Sequence, residues 1–241
     1  MSDTETLSVE IWSDIACPWC YVGKARFDKA VRQFDSGDKV EVRHRSFELD
    51  PERDPADVTE VVPMIAEKYG ISPAQAQANE YKLGGLASAE GLEYRTEGRD
   101  HGNSFDLHRL LHLAADRGLE PAAWDAFYKA NFADEDSLWN RERVIEVAVS
   151  AGLDRTEVVE VLDDPSAYRD AVRRDEAEAA ALGATGVPFF VIDGKYGISG
   201  AQPTELFAEI LEKAWGERRP EITTIEGGEG AEACGPEGCA V

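Results

Sequence analysis

Apolar positions along this chain change period twice. Leu7 to Trp12 (LSVEIW) alternates apolar and polar residues, the mark of a half-buried strand, and Tyr21 to Phe34 (YVGKARFDKAVRQF) shifts to the three-and-four spacing of a helix. Val40 to Phe47 (VEVRHRSF) alternates again, after a Ser36-Gly37-Asp38 turn. From about Val58 to Leu182 the pattern is almost wholly helical, in Thr59 to Tyr69, Pro73 to Ala89, Ser104 to Arg117, Pro121 to Asn131, Asn140 to Ala151 and Ser166 to Leu182. Ser72-Pro73 and Asp164-Pro165 read as helix openings, Gly118 and Gly152 as stops. Phe189 to Ile192, an Asp193-Gly194 hairpin turn and Lys195 to Ser199 then restore strand character, and Pro203 to Trp215 closes with a helix. This order predicts an α/β fold whose sheet comes from both ends of the chain, around a large all-helical insertion. The expected units are 1–57 with 183–217, the insertion 58–182, and a Gly- and Glu-rich tail 218–241.

Charge narrows the partners. Among 241 residues, 48 Asp and Glu face 25 Lys and Arg, a net charge of -23, so nucleic acid and anionic membranes would be repelled. The same imbalance would suit a disordered chain, but 43% hydrophobic residues and plentiful periodic segments argue for a packed core. The acid is dispersed along the chain (Asp134 to Asp136, Asp163, Asp164, Asp175, Glu176, Glu178), as on proteins that stay hydrated in concentrated salt, and predicts a halophilic, archaeal source. No stretch approaches the roughly 20 apolar residues of a membrane span. The polar start MSDTET lacks the features of a signal peptide, so a cytoplasmic location is expected. Disulfides there are usually catalytic or transient.

That setting gives weight to Cys17-Pro18-Trp19-Cys20, at the junction of the first strand and first helix. Unpaired N–H groups and the dipole favour an anion at a helix N-terminus, and a thiolate placed there attacks disulfides. Pro18 suits the first helical position. Cys17 is then the exposed attacking sulfur and Cys20 the buried resolving one. Cys234 and Cys239 form a second, C-x4-C pair, so a four-thiolate zinc site is a rival, although zinc pairs seldom sit at a strand-to-helix junction.

Three stretches make the chain resemble the DsbA-like family of thiol oxidoreductases, whose fold is a thioredoxin fold interrupted by a helical domain, and within it the FrnE-type branch. They are Ser13 to Cys20 (SDIACPWC), Asn103 to Leu110 (NSFDLHRL), and Thr185 to Val191 (TGVPFFV) with Gly200-Ala201-Gln202-Pro203. The resemblance implies a protein thiol–disulfide oxidoreductase with no cofactor or metal. Its partners would be protein thiols and disulfides, with glutathione or a thioredoxin-type reductant as electron partner. It implies a cis Val187-Pro188 bond beside the cysteines, with the Val187 backbone pairing with extended substrate, and a terminal C-x4-C acting as a second redox pair. Trp19 tunes the pair and is placed with the substrate. Asp14 reads as a proton relay to Cys20 or as a turn residue. His108 and Asn103 read as substrate contacts, or His108 as a packed residue at the margin of an apolar stripe. Kappa-class glutathione transferases and 2-hydroxychromene-2-carboxylate isomerases resemble the same fold but carry serine in place of Cys17 and lack the second cysteine, so the retained pair favours redox chemistry. A chaperone-like binding module is the third reading.

Overall fold

The computed structural model describes residues 6–218. Its first strand, β1 (Leu7–Ser13), leads into α1 (Pro18–Gln33) and β2 (Val40–Ser46), which lies parallel to β1 with Leu7 opposite Val40 and Ser13 opposite Ser46. The chain then makes the short β3 (Thr59–Glu60), α2 (Val61–Tyr69), α3 (Pro73–Ala89) and β4 (Asp100–His101). Five further helices follow: α4 (Phe105–Asp116), α5 (Glu120–Phe132), α6 (Arg141–Ser150), α7 (Arg155–Asp163) and α8 (Arg169–Ala181). The hairpin β5 (Phe189–Ile192) and β6 (Tyr196–Ser199) and the helix α9 (Thr204–Arg218) complete the described chain.

The main sheet has the order β2-β1-β5-β6, with β5 antiparallel to β1 and Val9 opposite Ile192. Period-two alternation sends Leu7, Val9 and Ile11 to one face, where they pack with Phe27 of α1, Phe190 and Ile192 of β5, and Phe207 and Leu211 of α9. Trp12 points the other way, packs with Ala179 of α8, and donates its indole N–H to the Asp175 carbonyl at 2.8 Å. Asp193 and Gly194 both take positive φ (55° and 64°), as the Asp-Gly turn predicts. Ser72 caps α3 in a reciprocal capping box with Gln75.

Three local features depart from expectation. The segment between β2 and β5 is not all helix, because β3 and β4 pair antiparallel (Thr59 opposite His101) and the Arg99 carbonyl accepts the Val61 N–H at the start of α2. Helix α7 lies between two of the helical segments named from the pattern and is not itself among them. It buries only Val158 and Val161, too short a stripe to announce itself. Helix α8 opens at Arg169 rather than Ser166, since Asp164 Oδ1 accepts the Ser166 N–H at 2.8 Å and Tyr168 takes φ 58° before the helix.

Candidate active site

The end of β1 and the start of α1 bring Cys17 and Cys20 to the boundary between the sheet and the helices α4 to α7, where both join the apolar cluster of Leu107, Leu110, Trp124 and Phe127. Cys17 is the N-cap of α1 with Pro18 behind it, so the positive end of the helix dipole lies at its sulfur. Both thiols are free. The Val187-Pro188 bond is cis, and the Cys17 thiol donates to the Val187 carbonyl at 3.6 Å, across 170 residues of sequence. That carbonyl partly covers the sulfur: Cys17 is 3% exposed rather than open to solvent as expected, while Cys20 is 0% exposed. Access to Cys17 comes from a cavity of about 530 Å³ that also touches Trp19, Leu49, Met64, Ile65, Leu83 and Asn131. Trp19, 42% exposed, also lines this cavity. Burial pushes the Cys20 thiol well up, and the neighbouring Cys17 adds to the shift. Cys20 is therefore a thiol at rest.

Gly23 explains why α1 can lie so close to Pro188. A Cβ there would stand 3.0 Å from Pro188 Cγ and 3.3 Å from Ala201. Arg26 fastens the same approach, pairing with Glu90, the C-cap of α3, at 2.8 Å and donating to the Ala201 carbonyl at 2.8 Å. The Gly200-Ala201-Gln202-Pro203 stretch thus braces the site rather than reacting.

Asp14 is 1% exposed, not a surface turn residue. Its Oδ2 accepts the Leu49 N–H at 2.7 Å, its Oδ1 accepts the Ala16 N–H at 3.1 Å, and His108 Nε2 stands 3.4 Å from Oδ1. Burial opposes ionisation, but His108 and the two backbone N–H groups outweigh it and hold the carboxyl below the ordinary Asp range. His108 itself is 0% exposed, so the expected substrate contact is corrected: behind Asp14 it cannot meet a ligand in the cavity. Asn103 is corrected too. Its amide donates to the Arg53 carbonyl and its Oδ1 accepts the Phe105 N–H, both at 2.9 Å, which clips the β2–β3 connection to the start of α4 away from the Cys17 cavity.

Three contributors escaped the sequence pattern. Asn131 on α5 donates to the Ile15 carbonyl at 2.8 Å and holds the loop before Cys17. The Tyr128 phenol is buried beside both sulfurs, and burial pushes it well up, the sulfurs adding to the shift. Glu48, whose side chain has no exposed surface, pairs with Arg173 at 2.6 Å. Asn131 and Tyr128 lie on the i, i+3 spacing of one helix face, a signal that marks burial without naming what is buried against them. Cys234 and Cys239 lie outside the described residues.

The profile of the DSBA-like thioredoxin domain matches residues 8–212. A crystal structure of a probable DsbA oxidoreductase from Streptomyces coelicolor is 62% identical, covering 98% of this chain and 99% of that one with a TM-score of 0.87. The cytosolic disulfide reductase DsbM from Pseudomonas aeruginosa, in a structure with GSH, is 15% identical, with a TM-score of 0.60 over 86% of this chain and 98% of its own. An uncharacterized protein, YwbO, from Bacillus subtilis is 26% identical over 86% of this chain and 96% of its own.

Proposed function

Because this chain belongs to the DSBA-like thioredoxin domain family and has the family's thioredoxin fold, we propose that it is a protein thiol–disulfide oxidoreductase, with Cys17 as nucleophile and Cys20 as resolving thiol. One observation carries the reading: two free thiols at one helix terminus, Cys17 reached from an open cavity and Cys20 sealed behind it as a thiol. The Cys17 sulfur attacks a substrate disulfide and releases one substrate thiolate. Cys20 gives up its proton, its sulfur attacks Cys17, the Cys17–substrate bond breaks, and the second substrate thiolate leaves. Asp14, whose charge acts on Cys20, is the residue we assign as a transient relay for that proton. Pro188 and Val187 shape the wall over Cys17, and Trp19 the side on which a substrate lies.

The resemblance supports a FrnE-type member with glutathione or a thioredoxin-type reductant as electron partner. The absence of an apolar span in any described helix accords with work in the cytoplasm, and the dispersed acid with a haloarchaeal one. Insulin reduction and oxidative refolding of a reduced protein, run from dilute buffer to molar KCl, test the activity. Catalysis of neither at any salt concentration sinks it, and the Cys17–Cys20 potential measured against glutathione gives the direction of electron flow.

The tail pair belongs to the same cycle. Fifteen residues separate Arg218 from Cys234, chain enough to span up to about 55 Å. Cys234 and Cys239 exchange with the Cys17–Cys20 disulfide and hand it to an external acceptor. A tethered pair acts at an effective concentration on the order of 1 mM. Truncation after Gly230 therefore slows turnover when external thiol is well below that level and leaves it unchanged well above it. Equal rates at low thiol for the truncated and full chains exclude the relay.

A further inference from the structure

We propose that Lys68 and Lys82 make the Cys17 cavity selective for one class of substrate, an extended polypeptide whose disulfide cysteine is flanked by apolar and acidic residues. This rests on the oxidoreductase reading and adds what the site selects. Helices α2 and α3 each turn one face to that cavity. On α2, Val61, Met64, Ile65 and Lys68 follow the i, i+3, i+4, i+7 spacing of a single stripe, and all of them line it. On α3, Asn79, Lys82 and Leu83 follow i, i+3, i+4 and line it too. Each face thus presents apolar side chains and one lysine. The α2 stripe is not absorbed by the core, since the helix buries only Val61 and Ala66 and leaves Met64 and Ile65 half-buried. Trp19, Leu49 and Tyr69 on the same cavity are exposed. A wet apolar wall beside the nucleophile is the mark of a surface that receives an apolar group.

The charges around this wall supply the acidic part of the selection. Elsewhere on the chain Lys24, Lys29, Lys39 and Lys195 hold carboxylates. Among the described residues Lys68 and Lys82 hold none, and both are exposed. The acids on the same cavity are mostly taken: Glu80 pairs with Arg99 at 2.5 Å and Asp50 stands 3.9 Å from Arg53, which leaves Asp100. His101 adds little charge at neutral pH, because burial holds it below the ordinary His range, with Arg53 and Lys68 adding to the shift. Two uncommitted cations therefore face one uncommitted acid where substrate meets Cys17, in a chain whose net charge is -23. A carboxylate that reaches them inside a cavity is screened by salt less than one in open solvent. Glutathione would bring carboxylates but no apolar side chain for Met64, Ile65 and Leu83, so the wall favours a polypeptide. In the reaction Cys17 bonds to the peptide sulfur and the partner thiolate leaves. Cys20 then bonds to Cys17 and the peptide leaves as a thiolate, with the substrate disulfide as the oxidant.

The probes are mixed disulfides of thionitrobenzoate with the peptide Glu-Leu-Cys-Leu-Glu, with its lysine-for-glutamate and glycine-for-leucine versions, and with glutathione. The thionitrobenzoate half is common to all, so rates differ only through the other half. Each is mixed with the reduced full-length protein, and thionitrobenzoate release reports attack by Cys17. Far-field repulsion from a chain of charge -23 favours the lysine peptide. The proposal requires the opposite sign, with the glutamate peptide faster by about fivefold. The glycine peptide should be slower than the leucine one by about fivefold, and glutathione by about tenfold. In Lys68→Gln/Lys82→Gln the glutamate-to-lysine ratio should fall to about one or below. Lys39→Gln/Lys213→Gln, the same change of charge away from the cavity, should keep the wild-type ratio. A wild type that prefers the lysine peptide, or a glutamate preference that survives in Lys68→Gln/Lys82→Gln, overturns the selection. So does a glycine peptide or glutathione that reacts as fast as the glutamate–leucine peptide. With 5,5′-dithiobis(2-nitrobenzoate) the first thionitrobenzoate phase reports Cys17 attack and the second reports resolution by Cys20. A wild type with no second phase, or a first phase surviving in Cys17→Ser, instead overturns the assignment of the cysteines.

Discussion

Cys17→Ser is expected to lower disulfide-reduction turnover by roughly three orders of magnitude or more, as removal of a nucleophile does elsewhere. The serine hydroxyl is not ionised at neutral pH, so the dipole at the α1 N-terminus has no anion to favour. The loss should be chemical, not structural. The exchanged atom is similar in size, and the Val187 carbonyl still accepts from a hydroxyl. Cys20→Ser should behave oppositely. Its first attack persists because Cys17 and its cavity are untouched, but no second sulfur releases the substrate. The variant stalls as a mixed disulfide, seen by intact mass as a substrate-sized adduct on Cys17. This asymmetry follows from burial, since a sealed thiol whose ionisation is pushed well up cannot be the first to meet substrate. Substantial turnover in Cys17→Ser, or an adduct on Cys20 in the wild type, would falsify the order of attack.

The frame of this site was legible because each part of it obeys a local rule. Strand β1 alternates, α1 repeats every three to four residues, and Asp193-Gly194 is the turn its two positive φ angles require. The pair Cys17 and Cys20 was visible for the same reason, as a motif at a period change. What lies behind it was not visible. Asp14, Glu48 and His108 come from three different elements, and each alone has an ordinary local reading: a turn Asp, an acid after a strand, a margin histidine. Only packing α4 against the ends of β1 and β2 removes all three from water together. The small exposure of Cys17 was hidden likewise, since the Val187 carbonyl that covers it arrives from the far side of seven helices, α2 to α8. Local periodicity reports which face of an element is buried; it does not report against what.

Arg109 shows how a motif can mark architecture. It sits in the Asn103 to Leu110 stretch that carries the resemblance, next to His108, yet its guanidinium faces α7 and is 2% exposed. Nη1 donates to the carbonyls of Val161 at 2.5 Å, Asp164 at 2.8 Å and Ala167 at 3.2 Å, while Nε and Nη2 hold Asp106 Oδ1. These carbonyls lie at the C-terminal end of α7 and in the turn beyond it, where acceptors lack helical partners and the dipole favours a cation. Arg109→Met keeps the length of the side chain and its apolar stem but leaves the acceptors unpaired, so it should cost about 3–5 kcal/mol. For a chain of this size that is a fall in Tm of roughly 10 °C, with a matching drop in the urea midpoint. Arg109→Lys should recover only part of it, because one ammonium cannot span three carbonyls and a carboxylate. At a temperature where both proteins are folded, the first thionitrobenzoate phase should be the same in Arg109→Met and wild type. A loss below about 1 kcal/mol would show the latch to be dispensable. A collapsed first phase in a fully folded variant would move Arg109 from the scaffold into the site.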